Sequence, residues 1–220
     1  MILAGYSSSI HAISPSVKKR ILNAGSWRKG CPVPLSNLRY LKMSYKNFNG
    51  KDKTGEMIVH RSVAKEVTQI FEELYHSGYP IYKMRIVSDF QANDWQSIEA
   101  GNTSAFNCRP VTGGKQWSNH SYGKAIDINP IENPYIARSG RISHKASLKY
   151  RKRVRTGNSA GQKAMMLKGD KIVKLFKQKG WRWGGDWRSI KDYQHFDKPV
   201  KNRPKASTKA KPKELFNSLF

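Results

Sequence analysis

The stretch Ser118–Pro130, SNHSYGKAIDINP, constrains the fold of this chain more than any other. It sets an imidazole, His120, and a carboxylate, Asp127, on either side of Gly123. The residues beyond the glycine then alternate, with Ala125, Asp127 and Asn129 against Ile126 and Ile128. Period-two alternation reads as a short strand whose isoleucines turn to the core and leave Asp127 on the other face, while Gly123 lets the chain fold so that His120 approaches the acid. One nitrogen and one oxygen converging in this way make an incomplete zinc site, because a catalytic zinc takes three protein ligands and keeps a fourth position for water.

The candidate for the third ligand lies far down the chain, in WRWGGDWRSIKDYQHFD, where His195 completes a His, Asp, His set. If Tyr193–Asp197 is a strand, Tyr193, His195 and Asp197 share one face, and Asp192 must sit in the turn before it to reach the water. A general base needs a carboxylate near that water that does not occupy its place on the metal. Asp192 is the nearest acid with that freedom, and Asp197 is its rival.

At these residues the chain resembles the LAS-type zinc metallopeptidases of bacterial cell walls. These include D-alanyl-D-alanine carboxypeptidases and dipeptidases and the L-alanyl-D-glutamate endopeptidases of phage endolysins. The family pattern SxHxxGxAxD is met in full by Ser118, His120, Gly123, Ala125 and Asp127, and the second pattern reads as Asp192, Tyr193, Gln194, His195. Many members carry Glu where this chain has Asp192, and the shorter acid resembles the endopeptidase branch. The resemblance spans residues 30–197 and includes GCPVPLSNLRYL, NTSAFNCR, GWRWGGDW and DYQHFD. It implies zinc held by His120, Asp127 and His195, Asp192 as the base, and Arg109 as a cation that contacts substrate and helps hold the developing oxyanion. Ser104 and Ser118 are implied as polar substrate-binding residues, and the stem peptide of peptidoglycan as the substrate. A fixed guanidinium suits the oxyanion role in a water-poor cleft. Carboxypeptidase and endopeptidase cleavage both stay open.

The charge narrows the partners without choosing one. With 41 Lys and Arg against 15 Asp and Glu the net charge is +26, enough to attract any polyanion. Teichoic acids, lipopolysaccharide, phospholipid headgroups and nucleic acid all qualify. A non-catalytic polyanion-binding protein with a structural or lost metal site is the alternative reading. A magnesium nuclease fits less well, since two His and one Asp suit zinc better. No long apolar run spans a membrane, and the N-terminal residues lack the basic region and sustained apolar stretch of a signal peptide. The substrate implies a cell wall, periplasm or secreted location all the same. Cys31 and Cys108 do not sit at metal-ligand spacing. They either pair, which favours an oxidising compartment, or remain two buried thiols. In the resembling family the segments that carry them flank one site, which implies that they pair.

The expected architecture is α+β, with a small antiparallel sheet carrying the zinc site, flanking helices and a disordered basic tail. We divide the chain into an N-terminal arm at 1–29, a peptidase domain at 30–197 and a tail at 198–220, whose Lys, Pro, Ser and Ala bury too little apolar area to order themselves. Helices are expected at Pro15–Asn23, where Pro suits a first turn, and at Val63–Leu74, where Val63, Val67, Ile70, Phe71 and Leu74 share one face. A third, around Ile172–Phe176, is expected to be capped by Asp170 and closed by Gly180. The Leu-rich segment up to Tyr45 and the run Ile81–Val87 read as strands. Ser88–Gly101 reads as a loop with the solvated acids Asp89, Asp94 and Glu99. Ala137–Lys168, with YRKRVR at Tyr150–Arg155, reads as a basic loop or poorly packed excursion over the cleft edge, and it is where the chain departs most from the family pattern. Trp181, Trp183 and Trp187 serve either as core plugs or as a cleft wall. His11, His60, His76 and His144 have no company that gives them a role.

Overall fold

A computed structural model of the chain describes residues 5–111 and 114–200. Its elements run β1 (Ser8–His11), α1 (Pro15–Asn23), β2 (Leu38–Lys46), β3 (Asp52–His60), α2 (Ala64–His76), β4 (Lys83–Met84), α3 (Asp94–Glu99) and β5 (Asn102–Thr103). They continue with β6 (Ala125–Asp127), β7 (Tyr135–Ile136), α4 (Ala160–Ala164), α5 (Lys171–Gln178), β8 (Arg182–Trp183), β9 (Lys191–Asp192) and β10 (His195–Asp197). The α+β expectation is met. Antiparallel β1-β2-β3 forms the larger sheet and antiparallel β6-β10-β8 the smaller one.

Helical spacing explains how the larger sheet is covered. Val67, Ile70, Phe71 and Leu74 of α2 fall on one face and pack with Leu41 and Met43 of β2 and Met57 and Val59 of β3 in a single core cluster. The same cluster takes in Ile126 of β6 and Phe196 of β10, and Phe176 of α5 stacks on Phe196 with ring centroids 3.9 Å apart and planes 14° apart. This stacking bears on the chemistry. Because successive residues of a strand face opposite ways, burying Phe196 turns His195 and Asp197 together to the other face of β10. Ile126, registered opposite Phe196, does the same for Asp127, which is registered opposite His195.

The residues read as an N-terminal arm are built into the fold. β1 pairs with β2, and Val17 and Ile21 of α1 join a second core cluster with Leu38, Tyr40, Phe106 and Cys108. Strand β3 is an element the sequence reading did not expect, since its first half, DKTGE, is polar and carries a glycine. It forms because all nine residues register with β2. The strand expected at Ile81–Val87 shrinks to β4. There the side chain of Asn102 accepts from Arg85 N and donates to Arg85 O, taking the place of a strand partner.

Ser88–Gly101 is not a loop of solvated acids. It holds α3, whose N-cap Asn93 accepts from Gln96 N, and its acids are paired: Asp89 with Arg20 and Arg85, Asp94 with Arg109, and Glu99 with His144. His144 therefore has company after all, and its ring also lies 3.9 Å from that of Trp95. Asp170 stands at the N-cap of α5 but does not cap it, since its Oδ2 accepts from Leu167 N and its carboxylate pairs with Arg155. Ala137–Lys168 is not poorly packed either. Met165 and Met166 are buried, and Arg151, Arg153 and Arg155 of YRKRVR all make hydrogen bonds within the chain. At the C-terminal boundary Lys198 pairs with Glu66 and Val200 packs on the second core cluster; the rest of the expected tail, 201–220, lies outside the described residues.

Glu132 gives this region a pH signature. It is buried, its Oε2 has no partner, and desolvation pushes its carboxyl from 4.5 up to about 7. Ionisation then costs the folded state more than the unfolded one, so stability falls as pH rises from the unfolded value through about 7. Glu132→Gln, neutral throughout, is expected to gain about 2–3 kcal/mol over the parent at pH 8 and almost nothing at pH 4. Urea unfolding at the two pH values measures it. An equal difference at both would remove the protonation argument.

Candidate metal centre

The turn ahead of β6 is assembled by its own residues. Ser118 Oγ accepts from His120 N at the start of a 3-10 turn over Asn119–Tyr122, and Gly123 ends the turn at φ +63. Only glycine suits that position, for a Cβ there would stand 2.5 Å from the backbone nitrogen of His60. His120 Nδ1 donates to Ala105 O at 2.6 Å, which leaves Nε2 as the free ring nitrogen. That Nε2 lies 3.2 Å from His195 Nδ1 and 3.2 Å from Asp127 Oδ2, while His195 Nδ1 lies 2.9 Å from Asp127 Oδ1.

All three side chains are buried, and one ligand atom from each falls within 4.8 Å of the others. Tetrahedral ligands bonded to zinc at about 2.0–2.1 Å stand about 3.3 Å apart, close to the separations here, and two imidazole nitrogens with one carboxylate oxygen are a zinc-type donor set. The residues fit the ion.

A second carboxylate backs the third ligand. His195 Nε2 is 3.8 Å from Asp197 Oδ2, and Asp197 is in turn fixed by Arg182 Nε at 2.8 Å, by Arg182 Nη2 at 2.6 Å and by Asn119 Nδ2. This is the arrangement that orients a metal-ligating histidine through its other nitrogen. Asp197 oxygens are thus occupied. One oxygen of Asp192 is not, for its Oδ1 is shielded from solvent and has no partner among the described residues.

The strand expected over Tyr193–Asp197 starts only at His195. Tyr193 and Gln194 make a turn, and Asp192 ends β9, registered opposite Tyr135 of β7. Gly184 makes room for it, since a Cβ at that position would come within 2.4 Å of Asp192 O and 3.0 Å of Asp192 Cβ.

Charge and burial act differently on Asp127 and Asp192. Burial alone would raise Asp127, but the charges of His120 and His195 and their hydrogen bonds hold it well below the usual carboxylate range. Asp192 rises to about 6, first by burial and then by the nearby charge of Asp127. His195, disfavoured as a cation by burial, is lifted to about 10 by Asp127 and Asp197. Metal uptake at these residues would release the proton that Asp127 and Asp197 favour on His195.

Two further residues named from the sequence are tied to this centre through the backbone. Ser104 exchanges two backbone hydrogen bonds with Asp127, at 3.0 and 2.8 Å, and so pins the acid's main chain. Arg109 is laced to the His120 turn by its backbone, with its N donating to Ser121 Oγ and its O accepting from Ser118 N and Ser121 Oγ. Its guanidinium donates to Asp94 Oδ2 and Pro110 O, and its Nε has no partner. Of the three tryptophans, Trp181 and Trp183 are core plugs, whereas the half-buried Trp187 stands over the centre with its ring 5.4 Å from that of His195. The sequence reading assigned no role to Asp197 beyond that of a rival base, and none to Gly184. Only the spacing of Asp197 from His195 on one strand face could have given the first away.

Compared with known families, residues 112–198 match the family model of D-alanyl-D-alanine carboxypeptidase, a stretch that contains His120, Asp127, Asp192 and His195. No solved structure matches the chain.

Proposed function

We propose, from the match of residues 112–198 to the D-alanyl-D-alanine carboxypeptidase family model, that this chain is a zinc-dependent peptidase of the peptidoglycan stem peptide. The observation that carries the reading is the convergence of His120 Nε2, His195 Nδ1 and Asp127 beside a shielded carboxylate with an unpartnered oxygen, Asp192. His120, Asp127 and His195 would hold the ion. When bound, zinc supplies Lewis-acid polarisation of the scissile carbonyl and a lowered pKa for an attacking water.

The chain's own residues supply the rest. Asp192, raised to about 6, is ionised at neutral pH yet basic enough to take the water proton at its carboxylate and return it to the leaving amine. Asp197, fixed by Arg182, sets its charge 3.8 Å from His195 Nε2 and so favours the orientation in which Nδ1 would face the ion. Arg109, whose Nε has no partner among the described residues, would be the cation offered to the developing oxyanion, and its ion pair with Asp94 restricts where the guanidinium sits. Trp187 excludes water beside His195. Ser104 and Ser118 are retained as polar contacts for the peptide. Incubating the metal-loaded protein with purified muropeptides and mapping the new termini by mass spectrometry tests the reading and identifies the bond.

The net charge of +26 supports a second role, in which the protein is held on anionic wall or outer-membrane polymers by attraction that weakens with salt. Three arginines of YRKRVR are engaged inside the chain, which favours the Lys-rich residues 201–220 over that motif as the polyanion contact. Deleting 201–220, and so sparing the packed Lys198 and Val200, is expected to weaken sedimentation with intact anionic walls and to leave turnover of a soluble muropeptide within about twofold. Raised salt should act likewise. Loss of soluble turnover on truncation would place 201–220 in the catalytic domain instead.

A further inference from the structure

The segment that departs most from the family pattern is tied toward the metal centre through Arg153 and Asn133. Arg153, within YRKRVR, sends its guanidinium inward among oxygens from separate stretches of chain. Nη1 donates to Glu132 O at 2.6 Å and Tyr150 O at 3.3 Å, and Nη2 donates to Asn133 Oδ1 at 2.8 Å and Met166 O at 2.8 Å. None of these partners is a carboxylate. A shielded cation without an acid is costly unless something else offsets its lost hydration. Here the offset comes from these neutral acceptors and from the ring of Tyr193, whose centroid is 4.3 Å from Arg153 Cζ. Burial lowers the group only to about 10, so the guanidinium is a cation at neutral pH.

Tyr193 is the residue between Asp192 and the turn into His195. Its backbone is held on two sides, N donating to Pro134 O at 3.3 Å and O accepting from Trp183 Nε1 at 2.9 Å, and its ring packs against the core and under Arg153. Asn133 completes the brace. Fully buried, it donates to Ile128 O, Asn129 O and Ala164 O, linking the chain just beyond Asp127 to the segment that carries Arg153.

We propose that Arg153 is a positioning residue that holds the Tyr193 ring and thereby sets the Asp192–His195 turn, so that the 137–168 segment governs where the general base stands. The kinetic part of this inference rests on the peptidase reading; the structural part does not. Displacing a base by about 1 Å costs on the order of 10²-fold in rate. Arg153→Met is therefore expected to lower kcat about 10–100-fold, with KM within about twofold and zinc content unchanged.

Tyr193→Leu should do the same, and the double variant should be no worse than either single one, since both remove one contact. Tyr193→Phe, which keeps the ring, should stay near the parent. Arg153→Lys keeps a cation but loses the fork, so a loss of about 3–10-fold is expected, and it carries the test should Arg153→Met not fold. Hydrogen exchange supplies the arm that needs no substrate: amides of 190–197 should exchange at least about tenfold faster in Arg153→Met while those of α2 do not change. Unchanged exchange at 190–197, multiplicative losses in the double variant, or losses that track zinc content would each overturn the inference. A parent protein inactive on every muropeptide would instead overturn the peptidase reading, and the exchange result would still decide the role of Arg153.

Discussion

Asp192→Ala is expected to retain one bound zinc per chain and to lose about 10²–10⁴-fold in turnover, the usual contribution of a positioned general base. His120→Ala and His195→Ala should lose both zinc and activity, because each removes one of three ligands that the buried site cannot replace from solvent. The contrast between holo but inactive and metal-free separates a base from a ligand. Asp197→Ala serves as the discriminating control. Asp197 lies 3.8 Å from His195 Nε2 and is held by Arg182 and Asn119, so its loss should weaken metal affinity about 10–100-fold, with activity recovered at higher zinc. If instead Asp197→Ala stays loaded and dead while Asp192→Ala loses zinc, the two acids have exchanged roles. The parent's rate should also carry an acidic limb: with the Asp192 carboxyl raised to about 6, activity rises with pH through that value as the base ionises.

Removing the Cys31–Cys108 disulfide is expected to lower stability by about 2–5 kcal/mol, the range seen when a native bridge is lost. The two residues are 77 apart in sequence, and a loop of that size forfeits about 4–5 kcal/mol of unfolded-state entropy when closed. The hydrogen bonds beside the bridge from Cys108 N to Ser26 O and from Arg28 Nη1 to Cys108 O do not use the sulfur atoms, so they are expected to persist without it. Zinc binding by the Cys31→Ser, Cys108→Ser double variant should therefore persist well below its melting temperature, while its urea midpoint falls sharply. Reductant should reproduce the shift in the parent. A change below about 0.5 kcal/mol, the scale of an ordinary surface substitution, would contradict it.

What the sequence disclosed and what it hid follow from the range of the interactions involved. His120, Gly123 and Asp127 were legible because a local turn and a two-residue period place them, and His195 because alternation about Phe196 leaves few other orientations. α2 announced itself by its apolar face. Strand β3 did not, for its polar half is ordered by pairing with β2 and by the Arg20–Glu56 ion pair, both distant along the chain. The same limit applied to YRKRVR, a basic run that reads as solvated until Asn133, Met166 and Tyr193 are seen to surround Arg153. Asp94 and Arg109 are fifteen residues apart and find each other only because α3 turns the acid back toward the His120 segment. The sequence named Asp192 as the base with Asp197 as its rival, but not that Arg182 and Asn119 engage Asp197, since those contacts are made across the fold.

The most direct test of the account is digestion of purified peptidoglycan by the zinc-loaded protein, with a chelated sample and Asp192→Ala alongside, and mass spectrometry of the released fragments. The account predicts new amino and carboxyl termini within the stem peptide in the loaded sample, none after chelation, recovery on adding back zinc, and a residual trace with Asp192→Ala. Intact stem peptides in the loaded sample, with the protein still sedimenting on the wall in a salt-sensitive manner, would contradict it and leave polyanion binding as the function.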